Sequence, residues 1–308
     1  MQNRFWKRAL IVLAVIVGLG FVFRWFGGPF SSEKKVVAAN TILQLDLEGV
    51  ILNGKKFLKN LDKYKDNSRV KAILVKINSP GGAVGPSQEI YLELKRVREE
   101  LKKPIVCVSS GMIASGAYYA AAACDKIVVA PGALVGSIGV IMEFANLEKL
   151  YDWAKVSRYS ITSGKFKDSG AEYRSMRDDE KQLFQDLITE VYGQFKDTVM
   201  KSRNLSEEVM QNYADGRVFT GAQAVKLGFA DKEGIFSDAV KLTAELANLG
   251  DNYEIFEVPK KKMSIFDFGE SDVEDPINSV KTWTRQLLRA QYLNQPMYLM
   301  PGFYEKED

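Results

Sequence analysis

This sequence contains no histidine. Histidine is the usual general base near neutral pH and the commonest metal ligand. Its absence excludes a Ser-His-Asp or Cys-His catalytic site and removes the basis for a typical zinc centre. Any nucleophile here must be activated by Lys, Asp, Glu or Tyr. Cysteine is scarce too. Only Cys107 and Cys124 are present, both in apolar surroundings, and they form no framework of spacings. Free cysteine usually behaves as a small hydrophobe, so the sequence predicts two buried thiols. An excess of one charge is also lacking. The net charge is +3 over 308 residues, which gives no reason to expect nucleic acid as a partner. The remaining composition, 46% hydrophobic and 26% charged, is that of a globular protein.

One apolar run stands out. Residues 9–23 are apolar without a break, preceded by Arg4, Lys7 and Arg8 and followed by Arg24. A membrane span needs about 20 apolar residues. The run reaches that length if Arg24 snorkels and Trp25 and Phe26 are counted. Trp6 and Trp25 bracket it like interfacial anchors. A cleaved signal peptide has a similar core, but the nearest small-residue site, Val37-Ala38-Ala39, lies well downstream. The expectation is a cytoplasmic tail and one transmembrane helix in 1–26, contacting the bilayer through 9–26. The short tail has no acidic residue, which favours its staying in the cytoplasm, with the rest of the chain outside.

Residues 27–40, with Gly27, Gly28, Pro29, Ser31 and Ser32, read as a linker. From residue 41 strand-like and helix-like segments alternate. Strands are predicted over 41–47, 70–77, 105–108 and 127–129. Helices are predicted over 55–64, 87–101, 114–123, 178–200, 206–213 and 220–227. Such alternation implies an α/β domain, 41–260, with a largely parallel sheet and crossover helices. Residues 261–308 change character and read as an appended arm. Packing on a neighbouring subunit and a solvated tail are both compatible with that stretch.

Three segments can carry chemistry. Asn78-Ser79-Pro80-Gly81-Gly82 follows a predicted strand. Adjacent glycines there let N–H groups face a cleft, as an oxyanion hole requires, although an ordinary Pro-Gly turn reads the same way. Gly111-Met112-Ile113-Ala114-Ser115-Gly116-Ala117-Tyr118-Tyr119 places Ser115 at a helix start, where it is either a nucleophile or a plain N-cap. Ile113 departs from the G-x-S-x-G elbow. Ser163-Gly164-Lys165-Phe166-Lys167-Asp168 offers two lysines. These are surface charges unless a dry site lowers a lysine's proton affinity enough for it to act as a base. A fourth, weaker element is Gly136-Ser137-Ile138-Gly139-Val140, whose hydroxyl could orient a lysine amine.

Together these segments resemble the signal peptide peptidase A family, the SppA or protease IV-like group, in its short form. The resemblance rests on the motifs just quoted and on Ala214-Asp215-Gly216-Arg217-Val218-Phe219-Thr220-Gly221, all in that family's order over about residues 41–240. The 52-residue spacing from serine to lysine selects Lys167 over Lys165. The resemblance implies the ClpP/crotonase superfamily fold. It also implies a protease domain in which Ser115 attacks the scissile carbonyl and Lys167 is the base. Gly82 and Gly116 would hold the oxyanion, and Ser137 would orient Lys167. It implies no metal and no cofactor, and a homo-oligomer in which neighbouring subunits can share the catalytic pair. The substrates it implies are remnant signal peptides and other apolar peptides, cleaved on the extracytoplasmic side of the bacterial cytoplasmic membrane. Ala117 stands where a second glycine often follows in that family, and it should narrow the cleft slightly. Two alternatives share parts of this pattern: a related membrane-bound protease acting on stomatin-like proteins, and a crotonase-type acyl-CoA enzyme.

Overall fold

The computed structural model describes residues 37–259 and 296–300. The predicted anchor over 9–26, residues 27–36 of the linker and most of the C-terminal arm lie outside the described residues. Among the described residues, no helix is long and apolar enough to cross a membrane.

The core is a sheet of six strands, all paired in parallel. Its strands are β1 (Thr41–Glu48), β2 (Val70–Asn78), β4 (Ile105–Ser109), β6 (Lys126–Val129), β9 (Lys232–Glu233) and β10 (Glu254–Glu257), in the order β10-β1-β2-β4-β6-β9. Strand periodicity explains its two apolar faces. On β2, Ile73, Val75 and Ile77 enter the larger core, while Ala72 and Leu74 enter a smaller one on the opposite face. The smaller core is covered by α8 (Phe236–Leu246), which contributes Ala239, Val240 and Ala244. The larger core receives α1 (Lys55–Lys65) through Phe57, Leu61 and Tyr64. It also receives α2 (Val84–Glu100) through Ile90, Tyr91, Leu94 and Val97. Helices on both faces of a parallel sheet are what the alternation in the sequence implied.

Smaller pieces stand on that core. Strands β5 (Met112–Ala114), β7 (Leu134–Gly136) and β8 (Val218–Thr220) form a three-stranded sheet in the order β5-β7-β8. Strand β3 (Gly81–Ala83) pairs with β11 (Met297–Leu299). Helix α3 (Gly116–Ala121) follows β5, and α4 (Glu148–Ala154) precedes the lysine-bearing loop. The long α5 (Asp178–Arg203) is followed by α6 (Glu207–Tyr213) and α7 (Gly221–Leu227). Helix α7 ends at Gly228, which takes a left-handed conformation as a C-terminal glycine does.

The cysteine expectation is corrected. Cys107 and Cys124 are buried but joined as a disulfide, with their Cα atoms 6.1 Å apart. The reason is topological. The chain leaves β4, passes through α3 and returns beside the start of β4, where Asp125 N donates to Ile105 O at 2.8 Å. The Asp125 carboxylate in turn accepts from Ile105 N at 2.7 Å. That return brings two residues 17 apart in sequence face to face inside the core.

Candidate active site

Ser115 sits between β5 and α3 with φ +52° and ψ −119°, a conformation that disfavours any residue with a Cβ. Its N–H donates to Gly136 O at 2.7 Å, and its carbonyl accepts from Tyr119 N at 2.8 Å. The side chain is buried, and Oγ has no hydrogen-bond partner among the described residues. The sequence lacks the first glycine of the elbow motif. The chain nevertheless makes the same sharp strand-to-helix turn, because the backbone bonds on either side hold it.

The neighbouring strand explains the fourth and fifth motifs. Strand β7 runs parallel to β5 with Ala114 beside Gly136, so Ser137 follows in step with Ser115. Ser137 also has φ +52° and is buried. Its N–H donates to Arg217 O at 2.8 Å. Strand β8, built from the 214–221 motif, backs β7 in antiparallel register. Gly136, at φ +102°, permits this packing, since a Cβ there would lie 2.8 Å from the Phe219 ring. This family motif therefore supports Ser137 rather than supplying chemistry of its own.

The glycines at the end of β2 have a defined direction. Gly81 O accepts from Ile51 N at 2.8 Å, and Ala83 N donates to Ile51 O at 2.7 Å. Gly82, between them, turns its N–H and C=O to the opposite side, towards Tyr298 of β11. A Cβ on Gly116 would lie 3.1 Å from Gly82 N and 3.0 Å from Tyr298 O. Gly82 and Gly116 thus border the same carbonyl oxygen, beside Ser115. Ala117, expected to narrow the cleft, is instead part of the buried core, because α3 directs it inward.

Lys167 lies elsewhere. It is exposed in a turn closed by Lys167 N donating to Gly164 O at 3.1 Å. It borders a shallow pocket with Arg158, Thr162, Asp168 and Tyr173. Its amine makes no ion pair among the described residues, whereas Lys165 pairs with Asp179 at 2.7 Å. The base of this loop is fixed by a charged cluster. Glu180 is fully buried and receives Arg174 at 2.5 and 2.9 Å and Arg177 at 2.8 Å. Arg174 also holds the Asp168 carboxylate at 3.0 Å. The Arg174 hydrogen bonds keep both Glu180 and Asp168 below the usual carboxylate range. The structure therefore gathers Ser115, Ser137, Gly82 and Gly116, while no hydrogen bond joins Lys167 to them within one chain. Among the described residues, no group of three or more potential ligands could hold a metal ion.

Sequence reasoning missed two features: the strain at Ser115 and Ser137, and strand β11 against Gly82. A buried hydroxyl beside two glycines facing one carbonyl oxygen can add to that carbon, and nearby N–H groups can stabilise the oxyanion. This is the arrangement of a serine hydrolase site. The chain matches peptidase family S49 over residues 98–250. It is 39% identical over 251 residues to the Synechocystis sp. protein slr0021, whose name calls it a protease, covering 80% of this chain and 88% of that one. It is 31% identical over 212 residues to the chloroplastic serine protease SPPA of Arabidopsis thaliana, covering 68% of this chain and 31% of that one. A solved structure, a ClpP1 point mutant from Listeria monocytogenes, aligns over 64% of this chain and 94% of that chain, with a TM-score of 0.44 and 16% identity. The chain belongs to peptidase family S49 and is a serine protease. The acyl-CoA alternative is set aside by that membership.

Proposed function

We propose that this chain is a membrane-anchored endopeptidase of the signal peptide peptidase type, with Ser115 as nucleophile and Lys167 as general base. The observation that carries the reading is the unpartnered Ser115 Oγ beside Gly82 and Gly116. Gly82 and Gly116 supply the oxyanion N–H groups, and Ser137, in step with Ser115, orients the lysine amine. Lys167 is exposed and unbonded to Ser115 in its own chain, so the reading that fits has it reach the serine of a neighbouring copy in a homo-oligomer. Removal from water there would let the amine accept the serine proton. Residues 9–26 anchor the chain in a bacterial cytoplasmic membrane, with the catalytic domain on the extracytoplasmic side. The buried disulfide supports an oxidising compartment. Remnant signal peptides and other apolar peptides are the substrates, and the chemistry needs no cofactor.

The test is hydrolysis of an apolar fluorogenic peptide by the full-length chain in detergent. Lys167→Ala abolishes turnover and Lys165→Ala keeps it. Mixing Ser115→Ala chains with Lys167→Ala chains restores part of the activity if subunits complete each other's sites. Turnover at the parental rate by Lys167→Ala overturns the assignment of the base.

A further inference from the structure

Helix α2 turns one face to the larger core. The buried positions on that face are Ser87, Ile90, Tyr91, Leu94 and Val97, which recur at helical spacing. Ser87 breaks an otherwise apolar and aromatic stripe, and it is fully buried. A buried hydroxyl is costly unless it is hydrogen-bonded. Ser87 Oγ donates to Ala83 O at 2.9 Å, four residues back, as a serine inside a helix can. Ala83 directly follows Gly82, and its own N–H is fixed on Ile51 O at 2.7 Å. The Ser87 hydroxyl therefore grips the strand end that carries the Gly82 N–H. Its oxygen also abuts Gly116. A Cβ on Gly116 would collide with Ser87 Oγ and lie 3.1 Å from Gly82 N. One atom thus touches both halves of the candidate oxyanion hole, which come from separate stretches of the chain. On the strand side the same two stretches are joined by backbone: Ser79 N donates to Met112 O at 3.0 Å, and Ala114 N donates to Ser79 O at 3.2 Å. On the helix side Gly116 has no side chain, and Ser87 Oγ fills that place.

We propose that Ser87 is a positioning residue for the hydrolysis, its hydroxyl acting as the spacer that sets Gly82 against Gly116. The proposal rests on the reading of those two glycines as oxyanion donors given above. Ser87 touches no reacting atom. Its oxygen lies on the Cα side of Gly116, and among the described residues no hydrogen bond joins it to either glycine N–H, so both donors stay free for the substrate oxygen. Two N–H groups serve one oxyanion only if both come within hydrogen-bond reach of it at once. The tetrahedral oxyanion needs that fit more than the ground-state carbonyl does, so a loosened pair slows turnover and leaves substrate binding nearly unchanged. Losing a donor outright costs about 100- to 1000-fold in kcat, and loosening the pair should cost part of that, about 10-fold.

The test compares Ser87→Ala, Ser87→Cys and the wild-type chain, each full-length in detergent. Its readouts are kcat and KM on an apolar fluorogenic peptide, and inhibition by a peptide boronate that bonds to the serine as a tetrahedral adduct. Ser87→Ala removes one neutral hydrogen bond and the atom beside Gly116. Its kcat should fall about 10-fold with KM within about twofold of wild type, and boronate affinity should fall in step with kcat. Ser87→Cys keeps an atom at that place and should recover part of the loss. A raised KM at constant kcat overturns the proposal, because Ser87 would then shape the groove and not the oxyanion hole. Ser87→Cys no better than Ser87→Ala overturns the spacer. If Ser87→Ala does not fold, Ser87→Cys decides against wild type by the same split between kcat and KM. A wild-type chain that cuts the peptide while Ser87→Ala keeps parental kcat and boronate affinity overturns this proposal alone. A wild-type chain that neither cuts the peptide nor binds the boronate overturns the protease reading with it.

Discussion

The strained turn at Ser115 makes a prediction opposite in sign to the usual rule. Replacing alanine by glycine in ordinary structure costs about 0.5–1 kcal/mol, because glycine loses more freedom on folding. At φ +52° and ψ −119°, a residue with a Cβ costs about 1–3 kcal/mol instead. Glycine escapes that cost. Setting the two against each other, Ser115→Gly should be more stable than Ser115→Ala by about 0.5–2 kcal/mol. Both substitutions remove the hydroxyl, so whatever Oγ meets in an assembled enzyme cancels from the comparison. For a chain of this size the difference corresponds to about 1–4 °C in Tm. The assay is thermal unfolding of the two full-length variants side by side, both catalytically dead. Ala117→Gly, two residues on in the buried start of α3, serves as a control and should follow the ordinary sign. If Ser115→Gly melts below Ser115→Ala, the turn at Ser115 is not strained in solution.

Other perturbations probe the supports of the site. Arg174→Gln leaves buried Glu180 with only Arg177 and should destabilise the protein by about 3 kcal/mol, read by urea unfolding. Adding Glu180→Leu should recover much of that loss, because the buried carboxylate that has lost one of its two arginines is gone. Glu180 and Asp168 are held below their ordinary carboxylate values by Arg174, so their contribution is complete above the unfolded-state value and disappears as pH falls through the depressed ones. Tm should therefore fall steeply below about pH 4, and Arg174→Gln should flatten that fall. Opening the Cys107–Cys124 loop should cost about 3 kcal/mol on the loop-entropy argument, measured by denaturation with and without reductant. Equal midpoints would show that the disulfide does not contribute.

Much of the scaffold could be read from residue patterns. The strands over 41–47 and 70–77 are present with slightly longer bounds, and the 178–200 helix extends to Arg203. Their periodicities are long enough to be distinctive. The stretch from Met112 was harder to read. Small residues after Ser115 suggested a helix from 114, but Met112–Ala114 is a strand held by β7, a partner more than twenty residues away. The expected helix from Ser87 begins at Val84, because Ser87 Oγ satisfies the Ala83 carbonyl from inside the helix. The serine and both glycines were legible because each needs a particular residue type. Their convergence on Tyr298 was not. Met297–Leu299 is too short to signal a strand, and its partners lie more than 150 residues earlier. The disulfide was hidden for the same reason, since its closeness is made by the fold and not by the spacing.

The strand at Met297–Leu299 has a kinetic consequence. A segment tethered to the molecule it binds competes at an effective concentration near the millimolar range, whatever the bulk concentration of protein. An incoming peptide meets a groove that is free only for a fraction of the time, and its apparent affinity is weakened by that fraction. Dilution cannot relieve this, because competitor and site travel together. Raising the concentration of the external peptide, rather than diluting the enzyme, should therefore relieve the competition.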